Sequence, residues 1–166
     1  MFAPTYPRMM ARYNQWQNRS LIVAADGLDD AARRRERGAF FGSIHATFCH
    51  LLWADMIWWH RLAGMEKPPG NPASSIHLEP DWARFKSRRA AMDEAIITWA
   101  DGLPDEEISG DFHWVSTAGR ASSHPKGLII AHVFNHQTHH RGQIHAMLTA
   151  EGAKPEDTDL ILMPTA

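Results

Sequence analysis

The sequence predicts an all-α fold, a four-helix bundle with a small β-hairpin before the fourth helix. Apolar residues recur at three- and four-residue steps along four long segments, and stretches rich in proline and glycine separate these segments. One short segment alternates instead, as a strand does. With 166 residues, of which 44% are hydrophobic, the chain is long enough to bury one core. We therefore expect a single domain over residues 1–166.

Apolar periodicity predicts the first three helices at residues 5–25, 41–63 and 80–100. The apolar stripe of the first helix comprises Tyr6, Met9, Tyr13, Trp16 and Val23, and that of the third comprises Trp82, Phe85, Met92, Ile96 and Trp99. Between the first two helices lies the basic run RRRER at 33–37. This run is short and contains an acid, so we expect a solvated loop or helix end rather than a nucleic-acid site.

The second helix is apolar on nearly all sides. Its large residues are Phe48, Leu51, Leu52, Trp53, Met56, Ile57, Trp58 and Trp59. A helix of this kind is covered on more than one face. We predict that a second subunit supplies part of the cover, in a homodimer. An unusually complete wrap by the same chain is the alternative.

The hairpin and the fourth helix follow a change of pattern after residue 108. Residues 112–115 alternate and Ala-Gly-Arg follows, which predicts a hairpin. Ser122 and Ser123 before Pro125 predict the start of the fourth helix, and Gly152 predicts its end. The C-terminal tail is expected to dock on the bundle through its apolar residues, Leu160, Ile161 and Leu162.

Composition and charge exclude several classes of protein. The net charge of -2 gives no basic face for a phosphate backbone, and a single cysteine allows no internal disulfide. The N-terminal segment shows no charged region followed by an apolar one, so we expect no signal peptide. The stretch CHLLWADMIWW is too short to span a bilayer. We expect a soluble, cytoplasmic protein that binds neither nucleic acid nor membranes.

The segment FNHQTHHRGQIH, residues 134–145, holds four histidines in twelve positions. One face of the fourth helix comprises Ile129, Val133, His136, His140, Ile144 and Met147. His136 and His140 thus lie in the middle of an inward apolar stripe. Buried imidazoles need partners, and a divalent metal ion is one, because neutral imidazole is a common ligand. Hydrogen bonds to other side chains are the alternative, and the pair alone does not decide between them.

A third ligand is best sought in the second helix. His50 has Ala46 and Ala54 four residues to either side, which leaves room for a site. Asp55 is a second polar residue that we expect to be buried. We expect it to hydrogen-bond either a neighbouring side chain or an imidazole, and we do not predict that it acts as a general base. Cys49 is expected to be a small core residue, because adjacent helical residues point about 100° apart.

The other polar residues of these two helices are less favoured as ligands. His132 and His139 flank the inward stripe and His145 lies on another arc, so we do not expect them to bind metal. His45 and His60 lie near the ends of the second helix, where exposure is expected. The sequence does not decide whether three further residues of the fourth helix contact the ligands or lie on the surface: Asn135, Arg141 and Gln143.

Four segments together resemble the DinB/YfiT-like proteins: YNQWQN, GSIHATFCHLLWADMIWWHRLAG, HVFNHQTHHRGQIHAMLT and PEDTDL. The resemblance covers essentially the whole chain, in the family's order. It implies an up-down four-helix bundle that often dimerises. It also implies a divalent metal held by one histidine of the second helix and two of the fourth, which are His50, His136 and His140 here. Zinc or nickel suits imidazole well, and iron, cobalt, copper or manganese also fits.

Three neutral imidazoles with an open position form the pattern of catalytic rather than structural zinc sites. Similar folds include thiol-dependent transferases. We therefore predict a metal-dependent transferase or hydrolase that activates a thiol or water, with an unknown small-molecule substrate and a low-molecular-weight thiol as a further partner. One alternative is a non-catalytic, metal-stabilised dimeric interaction or stress-response protein. The other is a plain bundle whose histidines bond to each other.

Overall fold

The computed structural model describes residues 5–164, and only the backbone of residue 105. This part of the chain is mostly helical, and the ends of the predicted domain, residues 1–4 and 165–166, lie outside it. Its helices are α1 (Thr5–Asp26), α2 (Asp30–Arg34), α3 (Ile44–Ala63), α4 (Trp82–Gly102) and α5 (Lys126–Ala150), and its antiparallel strands are β1 (Asp111–Val115) and β2 (Ala121–Pro125). Helix α1 packs against α4 and α5, and α3 packs against the same two helices. The predicted helical class is confirmed, with a hairpin directly before the last long helix, whereas the short α2 was not predicted.

Helix α3 begins three residues later than predicted because Ser43 caps it. The Ser43 hydroxyl accepts a hydrogen bond from the backbone N–H of Ala46 at 3.1 Å, which satisfies one of the free donors of the first turn. At the other end Gly64 adopts a left-handed conformation with φ 67°, a conformation that glycine adopts at little cost. The late start leaves Phe41 outside the helix, where its ring is free to turn towards other elements.

The predicted start of the last helix is wrong. Ser122 and Ser123 lie in β2, where they pair with Trp114 and His113 of β1. Pro125 is the final residue of that strand, and α5 begins directly after it without a side-chain cap. The serines therefore belong to the hairpin, because their pairing with β1 outweighs the local capping signal.

The inward face of α1 is more polar than its apolar stripe suggested. Met9 is 37% exposed and Val23 is 71% exposed, so both predicted stripe positions are wrong. Asn14 and Asn18 are completely buried instead. Two buried amides one helical turn apart require hydrogen-bond partners inside the protein.

These partners belong to a buried polar layer that joins α1, α3, α4 and α5: Asn14, Asn18, Asp55, Arg89, Asp93, Gln137 and Arg141. Arg89 lies between two carboxylates, with Nη1 at 2.5 Å from Asp55 Oδ2 and Nη2 at 3.0 Å from Asp93 Oδ1. Gln137 Nε2 donates to the second oxygen of Asp55 at 2.9 Å. Both oxygens of Asp55 are therefore engaged.

The α1 side of the buried polar layer completes the network. Asn14 and Asn18 donate to Asp93 Oδ1 at 3.1 and 2.9 Å, and Arg141 donates to the side-chain oxygen of Asn14. Burial raises the pKa of Asp93 and lowers that of Arg141 to about 10. Arg89 pairs with both aspartates and Arg141 bonds to Asn14, so ion pairs and amide hydrogen bonds hold the layer together.

The same chain covers most of α3. Trp53 Nε1 donates to the carbonyl of Pro69 at 2.7 Å, and the turn Ser75–His77 packs against the helix. The apolar helix thus has an intrachain cover, which supports the alternative explanation of its composition, while the homodimer stays a prediction. Within residues 5–164, none of the helices combines the length and apolar content needed to cross a membrane.

The C-terminal tail docks through polar groups and not through its apolar residues. Leu160, Ile161 and Leu162 are 37%, 91% and 52% exposed, so the predicted apolar contact is wrong. The tail is held on α1 by the side chains of Tyr13, Trp16, Gln17 and Ser20, which bond to residues 156–158. These donors and acceptors suit a tail whose own sequence, PEDTD, is polar and acidic.

The basic run is a helix end in part, as predicted, because α2 ends at Arg34. Its other arginines are not simply solvated. Arg35 and Arg37 both pair with Glu151, just after α5, and the guanidinium of Arg33 lies 5.0 Å from the ring centroid of Trp82. The run therefore connects α2 to the main helices.

Candidate metal centre

Three histidines from two helices meet in the protein: His50 of α3 and His136 and His140 of α5. Each offers a ring nitrogen, and these atoms all lie within 4.8 Å of one another. The Nε2 atoms of His136 and His140 are 3.0 Å apart. We call these three residues the histidine cluster. This geometry could hold a metal ion, because one ion can reach all three nitrogens after small side-chain shifts.

Two members of the histidine cluster have their outer ring nitrogens fixed. Gln143 Oε1, which can only accept, lies 2.8 Å from His140 Nδ1. Ser75 Oγ lies 2.8 Å from His50 Nδ1 and gives its own proton to the Pro72 carbonyl. A hydroxyl has one proton to donate, so at His50 it must accept. Both Nδ1 atoms therefore carry the proton, and both Nε2 atoms keep a lone pair for the centre of the cluster.

Burial keeps the histidine cluster neutral. Burial, together with the neighbouring imidazoles, lowers the pKa of His50 to about 4 and that of His136 to about 3. Burial also lowers the pKa of His140, partly offset by the hydrogen bond to Gln143. At neutral pH the three rings are uncharged, which is the form that binds metals.

Phe41 covers one side of the histidine cluster. Its ring stacks on His50 with centroids 3.8 Å apart and also contacts His140 at 5.3 Å. His50 and His140 are 7% and 6% exposed, whereas His136 is half-buried. The most accessible side of the cluster is therefore at His136.

Without metal, the protein should lose stability as the pH falls from about 6.5 to about 4. In the unfolded chain His50 and His136 take up protons near the ordinary pKa of 6.5, whereas in the folded chain they do so only near 4 and 3. The unfolded state binds more protons in this window. The contribution of the two neutral histidines to the free energy of unfolding is therefore fully present above pH 6.5 and is lost progressively as the pH falls below it. Urea midpoints from pH 7.5 to 4.5 in chelator measure the effect. The H50Q/H136Q variant should show a shallower decline, and an equal decline would contradict this origin.

The remaining histidines lie outside the histidine cluster. His132 and His139 are exposed and His145 is half-buried. The rings of His132 and His139 lie beside those of His136 and His140, with centroids 6.1 and 4.9 Å apart, but they are not part of the converging group. The expected exposure of His45 is wrong: it is 3% exposed, and its Nε2 lies 2.8 Å from the carbonyl of Glu79. His60 is half-buried and bonds to the Met65 carbonyl.

Neither Cys49 nor Asp55 takes part in the cluster. Cys49 is fully buried, so the prediction of a small core residue is confirmed, and burial raises the pKa of its thiol to about 11. Asp55 is engaged by Arg89 and Gln137 and caps none of the imidazoles.

Sequence reasoning missed Ser75 and Phe41 and left Gln143 open. Ser75 lies in a single short turn and Phe41 lies just before α3, where no long periodicity indicates the direction of a side chain. Arg89 was also missed, although a signal existed. It lies between Phe85 and Met92 on the apolar stripe of α4, so a charged residue stood at an inward position.

Comparison with known proteins identifies a family. A family model described as the DinB family matches residues 1–166, the whole chain and therefore all three clustered histidines. No curated protein and no solved structure matches the chain.

Proposed function

The chain belongs to the DinB family, and from this premise and the histidine cluster we propose that the protein is a metal-dependent enzyme. His50, His136 and His140 hold a divalent ion, and the reaction is a transfer or hydrolysis that uses an activated thiol or water. The observation that supports this most directly is the convergence of three neutral imidazoles, two of which have their outer N–H groups fixed by Ser75 and Gln143.

The donor set fits a divalent transition metal. Three nitrogen donors with further positions open to exogenous ligands are typical of catalytic zinc sites, and nickel, iron, cobalt, copper or manganese also binds imidazole. Uncharged donors leave the ion its full positive charge. When bound, such an ion supplies a nucleophile at neutral pH, because it lowers the pKa of a coordinated water towards about 7 or takes up a thiol as the thiolate.

The protein's own residues orient and shield the site. Ser75 and Gln143 hold two rings in the productive tautomer, and Phe41 excludes water from the face formed by His50 and His140. A reactant approaches on the side of His136, which is the least buried of the three. Asp55 is engaged by Arg89 and Gln137, so we assign no carboxylate base.

Ligand exchange on the cobalt-substituted protein tests the proposal. We expect its visible spectrum to change when 2-mercaptoethanol or azide is added, because the site keeps an open position. Turnover with a panel of thiol-transfer and ester substrates should then fall by about 100-fold or more in H140A, since loss of even an outer contact to a ligand typically costs 10–100-fold. H145A, on the same helix but outside the cluster, is the matched control. A spectrum that neither ligand alters, together with no turnover in fully metallated protein, would overturn the proposal.

The second candidate function is a non-catalytic one. The three histidines join α3 to α5, so a bound ion would link two helices that pack together. In that case the metal stabilises a dimeric interaction or stress-response protein. Removing it would lower the melting temperature, and added ligands would leave the cobalt spectrum unchanged.

The contacts of α1 and α3 with both α4 and α5 support an up-down four-helix bundle. We propose one such domain over residues 1–166 that acts as a homodimer in the cytoplasm, on a small molecule and with a low-molecular-weight thiol as a further partner.

A further inference from the structure

A groove beside the histidine cluster has the composition of a small-molecule site. It lies between α3, α5 and the hairpin, has a volume of about 280 Å³ and is lined by Trp58, Trp114, His124, Leu128, Ile129 and His132. We call it the indole groove. Sites for small molecules are mostly apolar and aromatic with a few polar groups, and their volumes begin near 300 Å³. The indole groove matches this description.

The indole groove adjoins the metal centre through one residue. The ring of His132 lies 5.4 Å from Trp58 in the groove and 6.1 Å from His136 in the cluster, measured between centroids. His132 precedes His136 by one helical turn of α5, and His136 is the most accessible member of the cluster. A molecule in the groove would therefore reach the open side of the metal centre.

A cation lies against Trp58, one of the residues that line the groove. The guanidinium of Arg61 lies 4.7 Å from the centroid of the Trp58 ring. Arg61 is half-buried and forms no hydrogen bond or ion pair with the residues that the structure describes. A partly desolvated guanidinium without an anion favours a carboxylate, with which it can form two parallel hydrogen bonds.

We propose that the indole groove binds the apolar body of a small amphiphilic carboxylate, whose acid group pairs with Arg61 and whose reacting end points to the histidine cluster. Arg61 follows His50 by eleven residues in α3, which corresponds to about 16 Å along the helix axis. The ligand is thus elongated, with its charge remote from the reacting end. This inference rests on the proposed function for the reaction, but not for the binding.

Calorimetry with 5-phenylpentanoate and its uncharged amide tests the binding, in both metal-free and metal-loaded protein. We expect R61Q to weaken the carboxylate at least tenfold and the amide less than twofold. W114A should weaken both at least tenfold. L128E provides a second test. Leu128 is 57% exposed, so the substitution should leave the fold intact. The negative charge that it introduces should repel the carboxylate. R120Q, in the exposed turn of the hairpin, is the matched control and should bind both probes as the wild type does.

The outcomes separate this inference from the proposed function. Suppose that R61Q weakens binding of the carboxylate but not of the amide, while the cobalt protein shows no open position. The groove proposal is then supported and the enzyme proposal is overturned. If wild-type protein binds neither probe, or binds acid and amide equally, the inference is overturned. It is also overturned if W114A converts a dimer into a monomer and no probe binds, because a second copy of the chain then covers the groove.

Discussion

Tag-free protein is expected to contain close to one divalent ion per chain, and the H50A/H136A variant to contain less than about a tenth of that. One remaining imidazole cannot hold an ion that needs at least three protein ligands. Elemental analysis by mass spectrometry measures the content directly. At an ion concentration 100 times the dissociation constant, binding should add about 2.7 kcal/mol to the free energy of unfolding.

Two variants serve as controls for this experiment, one with an expected partial loss of metal binding and one with no expected loss. S75A keeps all three ligands and removes the acceptor of the His50 N–H, so it should weaken metal binding by about 10- to 100-fold without abolishing it. H145A should bind as the wild type does. A wild-type protein that stays metal-free after zinc and nickel are offered would contradict the metal centre. The 3.0 Å contact between His136 and His140 would then be a plain hydrogen bond between imidazoles.

The R89M substitution should lower the free energy of unfolding by about 3–5 kcal/mol, a large share of the stability of a domain. Arg89 is 1% exposed and lies between Asp55 and Asp93, so its loss leaves two buried carboxylates without their cation. The cost comes from uncompensated burial rather than from a lost contact alone. Urea unfolding at pH 7 measures it.

The matched control is R12M, which breaks an ion pair at the surface. Arg12 and Asp101 are 43% and 44% exposed in their side chains, so the loss should stay below about 1 kcal/mol. If R89M cost no more than R12M, the buried polar layer would not contribute to stability as described. Circular dichroism of R89M before unfolding checks that the helices are still formed.

Helix positions and the inward histidines follow from the sequence because both depend on local periodicity. The predicted segments 5–25, 41–63 and 80–100 each agree with a long helix to within three residues at either end. The wheel of the last helix placed His136 and His140 among apolar residues, and the structure brings both to His50. The wheel needs only the 3.6-residue turn and the preference of apolar side chains for the interior.

Local patterns were misleading where a distant partner decides the outcome. The exposure of Val23 reflects the buried amides of α1, whose partner Asp93 is far away in sequence. Likewise, the serines before Pro125 resemble a helix cap but pair with β1 in the hairpin. A capping interaction is worth about 1 kcal/mol, which tertiary contacts can outweigh.

The sequence by itself determined the helical class, the four long helices and the inward positions of His136 and His140, because helical periodicity is a local property. His50 was named from its small neighbours and from the family resemblance. Only the tertiary structure decided what surrounds these histidines. Ser75 comes from a short turn and Phe41 from the segment before α3, and the directions of both side chains depend on how the chain packs over α3. The pairing of Arg89 with Asp55 also joins two helices that no short-range rule connects. Contacts between distant segments depend on the packing of the whole chain, so they can be read only from the folded protein.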